Sequence, residues 1–134
     1  DRNELALAKA LGLASEAKSV GKSKLLIRRL DGVDGSGLQS AASSLIDHLG
    51  KYSAVVFGGI PNQEIENKLV FVAAFSSDLV LDGFHAGKFI SGVAKMCGGG
   101  GGGRPNLAQA GGSQPQSLDL ALEKANEELT QQLS

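Results

Sequence analysis

Two lysines, one arginine and a run of six glycines form the stretch of this 134-residue sequence where residue types and spacing suggest chemistry. Gly98, Gly99, Gly100, Gly101, Gly102 and Gly103 follow Lys88 and Lys95, and lead directly into Arg104 and Pro105. Ordering a glycine costs about 0.5–1 kcal/mol more than ordering an alanine. Six of them therefore consume several kcal/mol of the roughly 5–15 kcal/mol by which a domain is stable. Such tracts are ordinarily linkers. A linker would run on into Ser, Thr or more Gly, whereas this run stops at a permanent cation beside a fixed φ angle. The pattern predicts a shaped loop whose backbone N–H groups converge on an anion, with the planar guanidinium of Arg104 suited to phosphate. The pattern G-x-G-x-x-G is met trivially here and follows a helix rather than a strand, so it carries no weight as a dinucleotide fingerprint.

The elements on either side must position these groups. Ala86, Phe89, Ile90, Val93, Ala94 and Cys97 recur at helical spacing and predict a helix with one apolar stripe. Its opposite face carries Lys88, Ser91, Gly92 and Lys95, a shallow basic groove aimed at the glycines, although exposed lysines often mark only a solvated face. Gly87 and Gly92 lie off the stripe, where a helix normally uses better formers, and this points to close approach of a backbone partner. His85 at the helix entrance suits either capping or donation to a phosphate. Leu107–Gly112 reads as a turn or short helix. Ser117 then caps a final helix with Leu118, Leu122, Ala125, Leu129 and Leu133 on one face. Glu123, Lys124, Glu127 and Glu128 lie elsewhere on it, which concentrates acid there and leaves the Lys88 to Arg104 side basic.

Upstream, Arg2–Lys18 reads as a helix with its stripe on Leu7, Ala10, Leu11, Ala14 and Ala17. Gly21-Lys22-Ser23 fails as a phosphate-binding loop, because Glu16 stands where the motif needs Gly and a helix precedes it. Lys24–Leu30 predicts a strand with Arg28 and Arg29 on opposite faces. Ser36 is the expected N-cap of a helix with Leu38, Ala41, Ala42, Leu45, Ile46 and Leu49 inward, ended by Gly50, with His48 in its last turn beside the negative end of the macrodipole. Ala54–Gly59 and Lys68–Phe75 are apolar strands. Ser76–Phe84 reads as irregular, with a short strand at Leu79–Leu81. Asp78 and Asp82 read as turn or capping residues, since a hard-metal site needs several oxygen ligands. Strand, helix, strand, strand implies a parallel pair and an antiparallel neighbour. The expected class is α/β: a small mixed sheet flanked by helices, a helix leading in and a C-terminal helix packed on the core.

Composition sets bounds. With 42% hydrophobic and 20% charged residues the chain can bury a core as one domain. One cysteine makes no internal disulfide, and no apolar run reaches membrane-spanning length. Thirteen Lys and Arg against fourteen Asp and Glu give a net charge of -1, so nucleic-acid binding requires the positive charge to be segregated. No nucleophile with a base, metal cluster or carboxylate pair is visible, and the chain alone is expected to have no catalytic or metal site.

The stretch GGGGGGRPNLAQAGG, with the preceding HAGKFISGVAKMC and a terminal helix, resembles the C-terminal domain of alanyl-tRNA synthetases, a member of the DHH-associated domain family. The resemblance covers most of the chain after about Ser23, making residues 1–22 the end of a helical segment and residues 23–134 the globular domain of a fragment. It implies a module that grips the outer corner of alanine-specific tRNA and supports aminoacylation and editing by upstream synthetase domains. ATP, magnesium and zinc would serve those upstream parts, with no cofactor here. The implied contacts are Lys88, Gly92, Lys95, Gly98 to Gly103 and Arg104, with Arg28, Arg29 and Lys24 as further candidates. The expected setting is the cytoplasm, or a chloroplast or mitochondrion in a eukaryote, with no membrane partner and a dimer through the helical segment as an option. The alternative is the substrate-binding accessory domain of a DHH-family phosphoesterase or nuclease. Related domains of those enzymes place His directly after the glycines, so Arg104 favours the synthetase branch. Asn106 stands where many bacterial-type synthetases have Asp.

Overall fold

In the computed structural model, which describes residues 11–65 and 67–134, six strands form one sheet. They are β1 (Lys18–Val20), β2 (Ser23–Arg29), β3 (Ser53–Gly59), β4 (Leu69–Phe75), β5 (Gly100–Gly103) and β6 (Leu107–Gly112), in the spatial order β1-β2-β3-β4-β6-β5. The helices are α1 (Gly35–Leu49), α2 (Ser77–Leu81), α3 (Ala86–Lys95) and α4 (Leu118–Leu133). β2 and β3 are parallel across α1, and the remaining pairs are antiparallel. The α/β class and mixed sheet expected from the sequence are observed.

The central strands β3 and β4 are buried along their whole length. Successive residues face opposite sides of a sheet, so such strands need apolar residues at every position. Ala54, Val56, Phe71 and Ala73 meet Ile90 and Val93 of α3 and Leu118 and Leu129 of α4 on one face. Val55, Phe57, Val70 and Val72 meet Leu38, Ala41, Ala42 and Leu45 of α1 on the other. The result is a sheet between two helical layers, with α3 packed on the glycine-rich edge and α4 over β2 and β3.

Four local expectations are corrected. Most of the predicted Arg2–Lys18 helix lies outside the described residues; Leu11 and Gly12 are helical as expected, but Leu13–Glu16 is a 3-10 turn and Lys18 already belongs to β1. The α1 cap is Asp34 rather than Ser36, with Asp34 Oδ1 accepting the Gly37 N–H at 2.7 Å. Leu79–Leu81 lies in the helix α2, since five residues are too few to display a period. Ser117 occupies the α4 cap position but makes no side-chain cap bond. Gly50 does end α1, at φ 87, and His48 does sit in its last turn.

The corrected cap gives a test. Asp34→Ala should cost about 1 kcal/mol of stability, whereas Ser36→Ala should change it by under about 0.5 kcal/mol, as read from urea unfolding. Equal losses would return the cap to Ser36.

Candidate nucleic-acid interface

Gly100–Gly103 of the glycine run form an edge strand, not a loop, and this changes how the run can meet an anion. A strand without side chains displays no alternation, so nothing in its sequence reports that it pairs with β6. The predicted turn or helix at Leu107–Gly112 is that partner: β6 joins β4 along six residues and carries β5 outside it. The hairpin closes through the Arg104 N–H donating to the Leu107 carbonyl at 3.1 Å.

Packing explains alternate glycines. A Cβ on Gly101 would lie 2.5 Å from the Ala110 Cα, and one on Gly103 would lie 2.9 Å from the Ala108 Cα. Gly99 is likewise closed by the Gly111 backbone. A Cβ on Gly100 or Gly102 would meet nothing within 4 Å. The fold therefore demands glycine at 99, 101 and 103 and tolerates more at 100 and 102, while Gly98 is held to glycine by its φ of 73. Gly87 is also corrected: it is buried, and a Cβ there would approach the Gly103 carbonyl oxygen to 2.6 Å. The backbone partner that its small size admits is this chain's own β5. Gly92, by contrast, is exposed with open space above it.

Lys88, Ser91, Gly92 and Lys95 of α3 and Gly101–Gly103 of β5 line one open groove of about 460 Å3, together with His85 and Gly87. The helix N-terminus is not available to a ligand in it. Ala86 N–H donates to the Pro105 carbonyl at 2.8 Å, Gly87 N–H to the Arg104 carbonyl at 3.2 Å and Lys88 N–H to His85 Nδ1 at 3.2 Å. His85 is thus a cap, and accepting at Nδ1 places the neutral ring's proton on Nε2. Antiparallel pairs alternate between bonded and unbonded. The Arg104–Leu107 bond puts Gly102 and Gly100 among the bonded pairs, so the backbone groups of Gly101 and Gly103 turn away from β6. Those of Gly103 abut Gly87, which leaves the Gly101 N–H on the open edge. What the groove offers an anion is two ammonium groups and an edge-strand amide, rather than a convergent nest.

The other candidates are distributed more widely. Arg104 is exposed at the hairpin tip, outside the groove lining, and Gly98 lies in the turn after α3, at φ 73. Lys88, Lys95 and Arg104 form no ion pair with another described residue. Lys24, Arg28 and Arg29 lie on β2, four strand spacings from β5, or about 19 Å. Arg28 pairs with Glu16 at 3.3 Å, and Arg29 with Asp31 at 3.1 Å and Asp119 at 3.2 Å. Burial, which lowers the Arg29 pKa, is outweighed by the hydrogen bonds and charges of these two carboxylates, which hold it above the ordinary value. A guanidinium so occupied has little left for phosphate. Sequence reasoning also missed Phe84 and Phe89, which stand half-buried around a second cavity beside Lys88 rather than wholly in the core.

Cys97, in the turn just beyond α3, is fully buried; that burial pushes its thiol pKa up. It should resist alkylation at pH 8 in the folded protein and react readily in urea. Because the folded pKa is the higher one, its contribution to stability is present below the unfolded thiol pKa and falls as pH rises through the folded value. Rapid alkylation without denaturant would place the thiol at the surface.

Residues 22–131 match the family described as the DHHA1 domain, a span from the β1–β2 turn into α4. The chain belongs to the DHHA1 domain family. It is 93% identical over 133 residues to the alanine-tRNA ligase of Prochlorococcus marinus (strain NATL1A), covering 99% of this chain and 15% of that one. To the alanine-tRNA ligase of Prochlorococcus marinus (strain MIT 9303) it is 56% identical over 132 residues, covering 98% of this chain and 15% of the relative. The chain thus spans about 15% of the length of the curated relatives it matches. Among solved structures it is similar to the C-Ala domain of Aquifex aeolicus alanyl-tRNA synthetase, with a TM-score of 0.71 at 29% identity, covering 88% of this chain and 97% of that one. RecJ from Thermus thermophilus shares the fold, with a TM-score of 0.62 at 13% identity over 99% of this chain and 17% of RecJ. No helix among the described residues is long and apolar enough to cross a membrane, and no three His, Cys, Asp or Glu stand together among them to hold a metal ion.

Proposed function

We propose that this DHHA1 domain is the tRNA-binding module of an alanine-tRNA ligase, acting in the bacterial cytoplasm and holding the outer corner of alanine tRNA while upstream domains aminoacylate and edit. The observation that carries the reading is the groove in which Lys88 and Lys95 flank an edge strand stripped of side chains. A polynucleotide backbone can lie against bare peptide there, with its phosphates beside two cations that no described carboxylate occupies. Phosphate contacts position an RNA without reading its sequence. Recognition should then depend on the shape of folded tRNA more than on its bases.

The test is a titration of this chain with an alanine tRNA transcript and with an unrelated hairpin at matched salt. The tRNA should bind saturably and more tightly than the hairpin, and Gly102→Ala should weaken it, because a methyl on the bare strand holds the backbone away. Equal binding of both RNAs, with Gly102→Ala indistinguishable from wild type, would overturn the reading.

A further inference from the structure

Beside the groove lies a cavity of about 490 Å3 between the α2–α3 connection and α4. Its floor is Phe75, only 2% exposed, and its walls are the half-buried Phe84 and Phe89. Phe75 meets Phe84 at 5.6 Å between ring centroids and 68° between planes, and Phe89 at 6.0 Å and 59°. The rim is polar, with Asp82 on one side and Glu128 on the other. Lys88 and His85 line both this cavity and the groove, so the two are continuous across the first turn of α3.

We propose that this cavity takes one nucleobase of the bound RNA, guanine in preference to uracil, when the adjoining phosphate sits beside Lys88. The proposal rests on the RNA-binding reading above. Unstacked bases are held in proteins by aromatic side chains while their edges are read by hydrogen bonds. An aliphatic side chain of a protein partner would fill the aromatic space but bury the rim carboxylates without donors, which is costly. A base supplies both a π face and N–H groups. Carboxylates only accept. Guanine has two adjacent N–H donors on its pairing edge and uracil has one, so Asp82 and Glu128 favour guanine. Glu128 already accepts from Gln132 Nε2 at 3.3 Å, whereas the Asp82 carboxylate has no hydrogen bond to another described residue and is the first acceptor a base would meet.

The chain contains no tryptophan, so Phe84→Trp introduces a single reporter that keeps the aromatic surface. Its emission should be quenched saturably by alanine tRNA and by guanosine monophosphate, more weakly by uridine monophosphate, and not by inorganic phosphate. Phe84→Leu and Phe89→Leu, checked for folding by circular dichroism, should weaken tRNA binding about 5- to 100-fold. Because stacking releases no counterions, their salt dependence should match wild type, whereas Lys88→Ala should flatten it. If Lys88→Ala flattens the salt dependence while both leucine variants bind normally, the base pocket falls and the RNA-binding reading stands. If the wild type binds no tRNA, both fall. An anilinonaphthalene sulfonate probe that binds the cavity and is not displaced by saturating tRNA would assign it to an apolar partner and overturn the proposal.

Discussion

Gly101→Ala is expected to cost about 3 kcal/mol of stability and lower the melting temperature by roughly 10 °C. The new Cβ would stand 2.5 Å from the Ala110 Cα, and that neighbour is backbone in the adjacent strand, which cannot rotate aside. To make room β5 must separate from β6, and β6 is the strand that joins β4. Gly100→Ala and Gly102→Ala are the counterparts, with nothing within 4 Å of the added atom and φ outside the left-handed region. There the entropy term acts alone, and each should gain about 0.5 kcal/mol. Gly87→Ala sets two effects against each other. Replacing a helical glycine gains about 1 kcal/mol, but the contact with the Gly103 backbone forces α3 off the strand at a cost of about 1–3 kcal/mol. The clash wins, and Gly87→Ala should destabilise. Thermal melts of the four variants decide the matter. If Gly101→Ala and Gly102→Ala melt together, β5 does not pair with β6 in this register.

The same contrast explains what could be read from the sequence. α1, α3 and α4 were legible because a buried stripe repeats every 3.6 residues, and β3 and β4 because strands buried on both faces are continuously apolar. Family membership was legible from GGGGGGRPNLAQAGG, where function and packing compress into a few positions. β5 was not, since a period requires side chains to carry it. β6 was obscured because Ala and Gly state no strand preference, and its extended form is imposed by the ladder to β4. Among the site residues, Lys88, Gly92 and Lys95 share the groove because their spacing alone puts them on one helix face. Arg28 and Arg29 illustrate the opposite case. Their charge was visible, but the Asp119 that engages Arg29 lies 90 residues away in sequence, beyond any local pattern. Phe89 sits on the apolar stripe, and only the opening between α3 and α4 shows that the stripe is not fully covered there.

Replacing both Lys88 and Lys95 by Ala is expected to lower the slope of log affinity against log salt by about 1.4–1.8, since each phosphate left without its lysine takes about 0.7–0.9 off the slope. The two residues face one groove, carry no competing described carboxylate and are far enough apart along α3 to meet different phosphates. Arg104→Ala should change the slope less than either lysine, because its side chain stands at the hairpin tip outside the groove lining. Arg29→Ala should leave the slope nearly unchanged, as its charge already serves Asp31 and Asp119. Lys124→Ala is the matched control, an exposed lysine on α4 whose near neighbour is Glu127 at 3.8 Å. Since phosphates carry no sequence information, the double variant should lose affinity equally for tRNAs of different sequence and similar shape. A slope unchanged in the double variant but reduced in Arg29→Ala or Lys124→Ala would move the RNA to the β2 and α4 side of the sheet. The bare edge strand would then have to be explained by something other than a polynucleotide.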